Sequence, residues 1–178
     1  MPVRLTFYDG AGCIGGNKIL LEADGTALFL DFGTNFAAEG RFFDEFLRPR
    51  TTTGIGDLLD LGLLPPLEGI YRADLDLPER AWWERARARP LHRALRVDAV
   101  LLSHAHLDHS GYISYLDGAI PVVTSLETAV IAKAMQDTQG SGFNEVCYLI
   151  PREVKEGLLS ATHHKRVASE ARPFLLLG

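Results

Sequence analysis

The 178-residue sequence predicts a mixed α/β fold, and three observations carry that expectation. Short apolar stretches interrupted by Asp-Gly open the chain, as in antiparallel strands. A continuous apolar run over residues 97–102 has the character of a strand buried on both faces. A strand-like run at 120–124 then leads into a helix-spaced stretch over 126–139. The length suits one domain with little room for a second. Hydrophobic residues at 47% and charged residues at 23% are ordinary for a globular chain and exclude collagen, a coiled coil and wholesale disorder. The formal charge of −5 argues against gripping nucleic acid through bulk charge, while leaving room for a local basic groove.

The first strand falls at about residues 2–8, where Val3, Leu5 and Phe7 alternate with Arg4, Thr6 and Tyr8. That alternation is unlike the apolar core of a signal peptide. Gly10, Gly12, Gly15 and Gly16 follow as a cluster. Strands at 18–22 and 27–31 are joined by Ala23-Asp24-Gly25-Thr26, a hairpin turn that needs φ > 0. Residues 32–96 are expected to be loop with short helices, because Pro49, Gly54, Gly56, Gly62, Pro65, Pro66 and Gly69 punctuate them. Within this stretch Phe42, Phe43, Phe46 and Leu47 have helical spacing. Residues 79–96 are expected to form a helix, with Pro78 at its start and Pro90 as an interruption. A short helix to about Leu116 and a strand over 148–150 complete the pattern, and the tail closes on Leu175-Leu176-Leu177-Gly178 as a strand. Cys13 and Cys147 are far apart and form no CxxC pair, so two free thiols in a reducing compartment are expected. No apolar run reaches the roughly 18 residues of a membrane helix, so the expected location is cytoplasmic, without a membrane partner.

The chemistry concentrates directly after the 97–102 strand, in Ser103-His104-Ala105-His106-Leu107-Asp108-His109-Ser110-Gly111. Imidazole and carboxylate together suit a borderline divalent ion such as zinc. His104 and His106, one residue apart past a strand end, can chelate one ion, and Asp108 and His109 at the next turn can reach a second. A competing motif lies upstream. Gly10-Ala11-Gly12-Cys13-Ile14-Gly15 matches GxGxxG and has Asp31 21 residues after Gly10, as in a dinucleotide fingerprint. Only eight residues separate Gly15 from Asp24-Gly25, too few for the crossover helix that a pyrophosphate would need. The glycines are better read as a loop whose backbone approaches the metal site.

With HxHxDH after a central strand, the sequence resembles the metallo-β-lactamase-fold hydrolases, over roughly residues 3–31 and 97–135. The resemblance implies an αββα sandwich of which residues 1–178 hold the N-terminal half, with 32–96 as an insertion or long loop-helix segment. It implies that His104 and His106 bind one metal and Asp108 and His109 the second, and that Asp31, in Leu30-Asp31-Phe32-Gly33, supports the histidine loop from behind. The implied cofactor is zinc, two ions in the complete site, with manganese as the other option. The implied reaction is hydrolysis by a metal-activated hydroxide, with Asp108 as the catalytic residue that orients it.

Among the family's substrates, the loop Gly12-Cys13-Ile14-Gly15-Gly16-Asn17 resembles the ribonuclease J-like and β-CASP exonucleases, which points to RNA or single-stranded DNA. Arg80 to Arg96 with Trp82 and Trp83 could meet phosphates and bases, though the plainer reading is a solvated helix face with Glu79 and Glu84 interleaved. Ester, lactone, thioester or β-lactam hydrolysis, a non-catalytic metal-binding fragment and a nucleotide-binding domain are the alternatives, and a homo-oligomer is left open. The family's site needs a further histidine, a bridging aspartate and a last histidine. After residue 109 the only histidines are His163 and His164, whose setting is not the expected strand and turn, and Asp137, the last aspartate, falls within an expected helix.

Overall fold

A six-stranded sheet organises the chain in a computed structural model that describes residues 2–43, 47, 49–77, 81–138, 144–161 and 168–178. The expectations placed on Phe46, Pro78, Glu79, Arg80, Gln139, His163 and His164 lie outside the described residues. In chain order the strands are β1 (Arg4–Asp9), β2 (Lys18–Ala23), β3 (Thr26–Leu30), β4 (Leu67–Glu68), β5 (Arg93–Ala94), β6 (Ala99–Leu101), β7 (Val122–Ser125), β8 (Tyr148–Leu149), β9 (Arg152–Lys155), β10 (Leu158–Ala161), β11 (Glu170–Ala171) and β12 (Phe174–Leu177). The α-helices are α1 (Phe36–Glu39), α2 (Gly56–Leu61), α3 (Trp82–Arg87), α4 (Leu107–Ser110) and α5 (Leu126–Thr138). The sheet order is β1-β2-β3-β6-β7-β12, and the other strands form two-stranded pairs. The fold is thus mixed α/β around a central sheet, consistent with a metallo-β-lactamase fold.

The opening hairpin forms as its turn residues dictate: Asp24 has φ 50° and Gly25 φ 84°, the twisted turn that matches antiparallel strands. From β3 onward the sheet is parallel, β3 to β6, β6 to β7 and β7 to β12. This puts the C-terminal ends of β3, β6 and β7 side by side.

The two faces of the sheet differ. On one, Leu20, Phe29, Val100 and Val122 are fully buried. They share a core with Ile55, Leu58, Leu64, Leu67, Ile70 and Ile113, so the segment between β3 and β6 supplies much of the packing and is no loose loop. Phe29 and Phe32 meet edge to face at 4.8 Å between ring centroids. On the other face an apolar row crosses every strand: Phe7, Ile19, Leu30, Leu101, Val123 and Leu175 are successive cross-strand neighbours. Its ends remain open to solvent, Phe7 at 50% and Leu175 at 56% exposure.

Helix formation at 79–96 is shorter than expected. Among the described residues α3 ends at Arg87, Leu91 takes φ 64°, and Arg93–Ala94 pairs with β4 as a strand. Pro90 cannot donate to the helix ladder and disfavours helical geometry at Arg89, so the chain turns there. Phe42 and Phe43 likewise lie beyond α1, which ends at Glu39. Two buried arginines tie connecting segments together. Arg72 pairs with Glu145 at 2.7 Å and with Asp74 at 2.8 Å. Arg172 donates to the carbonyls of Ile113, Leu116, Asp117, Ile120 and Val146, and burial holds its pKa down at about 10. No helix among the described residues is long and apolar enough to cross a membrane.

Candidate metal centre

The site sits where parallel strands end, the usual place for ligands in open α/β sheets. Leu30 and Leu101 are paired across β3 and β6, so Asp31 and Ser103 leave the sheet together. The Asp31 amide donates to the Leu101 carbonyl at 3.0 Å. Asp31 itself adopts φ 57°, unusual for a residue with a side chain, and this turns its carboxylate toward the histidine loop. Its Oδ1 accepts the Ser103 amide at 2.8 Å, and its Oδ2 accepts the Ser103 hydroxyl at 2.9 Å.

The same Oδ2 lies 2.7 Å from His109 Nδ1. A carboxylate can only accept, so Nδ1 carries a proton, and in the neutral ring Nε2 is then the atom with the lone pair. That Nε2 lies 3.4 Å from Asp108 Oδ2. His104, His106 and Asp108 each present a ligand atom, all within 4.8 Å of one another. The His104 ring centroid is 4.8 Å from that of His106 and 4.0 Å from that of His109. Burial, and then the neighbouring His109 and His106, push the His104 pKa below the usual imidazole value. This favours the neutral, metal-binding form. The Ser103 hydroxyl lies 3.0 Å from His104 Nδ1 and steadies that ring. Two imidazoles and a carboxylate within reach of one ion, with a third imidazole nitrogen beside the same carboxylate, fit a borderline divalent cation.

What fixes Asp108 and His109 is backbone. A four-residue helix cannot satisfy its own last carbonyls. In α4 the carbonyls of Leu107, Asp108 and His109 accept the amides of Thr34, Gly16 and Phe32 at 2.9, 2.8 and 2.9 Å. The approach is close enough to require glycine. A Cβ on Gly33 would lie 1.8 Å from the Asp108 carbonyl oxygen, and one on Gly15, at φ +73°, 2.5 Å from Asp108 Cβ. The glycine loop thus packs against the histidine loop as a backbone brace. Ser103, Thr34 and Gly33 are parts of this arrangement that sequence reasoning passed over. The strand-end position of Asp31 was their only signal.

Other candidates are committed elsewhere. Arg85 pairs with Asp60, Arg87 with Glu68 and Arg93 with Glu22. Both indoles of Trp82 and Trp83 donate to Asp76. His92 binds Glu68 at 2.8 Å, and Asp137 binds Lys133 and the Tyr148 hydroxyl.

The family model described as the Metallo-beta-lactamase superfamily matches residues 81–157, the stretch that contains the histidine loop. Over that stretch the chain is similar to the metallo-β-lactamase superfamily. It is 27% identical over 166 residues to the transcription termination factor FttA of Pyrococcus abyssi (strain GE5 / Orsay), a match covering 86% of this chain and 20% of that protein. A crystal structure of a protein of unknown function from Enterococcus faecalis V583 superposes with a TM-score of 0.54 at 31% identity, covering 80% of this chain and 31% of that one. The chain spans about a fifth of the curated relative and under a third of the solved structure.

Proposed function

We propose that the chain carries the metal-binding half of a metal-dependent hydrolase acting on phosphodiesters of RNA or single-stranded DNA. The observation that carries the reading is the convergence of His104, His106 and Asp108, with His109 oriented by Asp31, at the ends of parallel strands. His104 and His106 hold one ion; Asp108 and His109 hold a second. Zinc suits this donor set, with manganese as the other option. When bound, such ions supply Lewis acidity that makes water a nucleophile at neutral pH and neutralises charge on the phosphoryl oxygens. The Asp108 carboxylate would accept a hydrogen bond from the attacking water and orient it. Asp31 keeps the proton of His109 on Nδ1, so that Nε2 stays a ligand. Ser103 holds His104 and Asp31 in register.

The open apolar face supports a half-sandwich. A row running from Phe7 to Leu175 is the inner surface of a two-sheet core, and a second sheet laid on it brings the remaining ligands, a histidine and a bridging aspartate among them. The likeness to a factor named for transcription termination favours a nucleic-acid substrate over a small ester. Two free cysteines, Cys13 and Cys147, support a cytoplasmic setting. The test is turnover by the metal-supplemented full-length product, second sheet included, of a 5′-phosphorylated RNA, a single-stranded DNA, a β-lactam and a lactone. Cleavage of the nucleic acids supports the reading, and turnover of the small molecules alone removes it.

A further inference from the structure

Lys18 opens β2 and is fully buried, an expensive place for an ammonium group. Its partners explain the position. Nζ donates to Asp9 Oδ2 and to the Gly16 carbonyl, both at 3.2 Å, and lies 4.9 Å from the centre of the Tyr112 ring. Asp9 Oδ1 in turn accepts the Gly10 amide and the Asn35 side-chain amide, each at 2.8 Å. Asn35 Oδ1 caps α1 by accepting the Ala38 amide at 2.9 Å.

This network grips the glycine loop at both ends, Asp9–Gly10 and Gly16. The gripped loop is the one that touches the metal ligands. The Gly16 amide holds the Asp108 carbonyl at 2.8 Å, and the Asn17 side chain lies 3.4 Å from His109 Nδ1. The Asn17 carbonyl also accepts the Gly33 amide at 3.0 Å, which links the glycine loop to the second brace of α4. A single residue, Gly16, thus receives Lys18 on its carbonyl and holds Asp108 with its amide.

We propose that Lys18 is a positioning residue for the metal centre: its buried ammonium fixes the glycine loop, and the loop fixes Asp108 and His109. The inference rests on the metal-centre reading above. Its consequence is that loss of Lys18 weakens metal binding beyond what loss of stability explains.

The experiment measures zinc affinity by competition with a chromophoric chelator, and urea unfolding of the metal-free protein, for the wild type and three variants. Lys18→Met removes the ammonium with little change of volume. Asn35→Ala releases Asp9 while leaving Lys18, and serves if Lys18→Met does not fold. Gln136→Leu removes a buried polar group on α5 whose partners are Cys147 and Tyr148, remote from the loop's network. Expected is a zinc affinity about 10- to 100-fold weaker in Lys18→Met, a smaller loss in Asn35→Ala, and no loss in Gln136→Leu at comparable destabilisation. Wild-type affinity in folded Lys18→Met, or in Asn35→Ala where Lys18→Met fails to fold, overturns the role of Lys18 alone. So does an equal loss in Gln136→Leu. A wild type that binds no zinc overturns both this inference and the metal centre beneath it.

Discussion

Replacing Asp31 by asparagine isolates the contribution of one carboxylate to the metal centre. Asp31 accepts three hydrogen bonds, two from Ser103 and one from His109 Nδ1 at 2.7 Å. The Asp31→Asn side chain would keep the shape and one carbonyl oxygen. Its amide nitrogen, placed where Oδ2 lies, donates instead of accepting. His109 then meets a donor at Nδ1, and the neutral ring answers by moving its proton to Nε2, the atom that faces Asp108. The ligand lone pair is lost at the position that needs it. Losing such an outer partner weakens metal binding about 10- to 100-fold, or about 1.4–2.7 kcal/mol. The metal-free protein loses about 1–3 kcal/mol as well, because Asp31 is buried and its partners are left mismatched. Chelator competition reads the first quantity and urea unfolding of the metal-free protein the second. Zinc affinity within about twofold of the wild type would refute the argument that Asp31 sets the His109 tautomer.

Three further outcomes follow from the packing and the ion pairs. Gly33→Ala drives a Cβ to 1.8 Å from the Asp108 carbonyl, so a destabilisation of about 1–3 kcal/mol or more is expected, and an unchanged urea midpoint would show that the braces of α4 move freely. Glu145→Ala takes one of two carboxylate partners from the buried Arg72 guanidinium, leaving Asp74, and costs about 1–3 kcal/mol, measured by the same unfolding curve; a loss under about 0.5 kcal/mol would mean the pair with Glu145 is solvated. Glu68 is held down at about 2 by hydrogen bonds from Arg87 and His92. Because its folded pKa lies below the usual 4.5, its stabilising contribution is complete above that value and fades as pH falls toward about 2. The gap in Tm between wild type and Glu68→Gln should therefore close over that range, and a gap that persists at the acid end would contradict the ion-pair origin.

Much of the site could be read from the sequence because its chemistry is local. His104, His106, Asp108 and His109 fall on one short loop and helix, and the strand before them announces itself by its apolar run. The hairpin at Asp24-Gly25 was equally plain, since φ > 0 at two consecutive positions leaves few residue choices. The glycine cluster signalled one part of the brace, the Gly16 amide, but the main-chain amides of Phe32 and Thr34 leave no side-chain signature. Lys18 carries no signal in the sequence beyond opening the strand at 18–22. Only the three-dimensional placing of Asp9, Gly16 and Tyr112 reveals why an ammonium is buried there. The arginine-rich stretch admitted two readings, a phosphate-binding face and, more plainly, a solvated helix face. The plainer reading fits the ion pairs, in which Asp60, Glu68 and Glu22, distant in sequence, engage Arg85, Arg87 and Arg93. The short strands β4, β5, β9 and β10 carry too few residues for any periodicity to show.

The most direct test of the account is metal content per chain for the wild type and His106→Ala after dialysis against zinc and then buffer. His106 is exposed, so its removal leaves the core intact and the metal-free proteins should unfold alike. The account predicts zinc retained by the wild type and lost from His106→Ala. A wild type that retains none, or a His106→Ala variant that retains as much as the wild type, would contradict it.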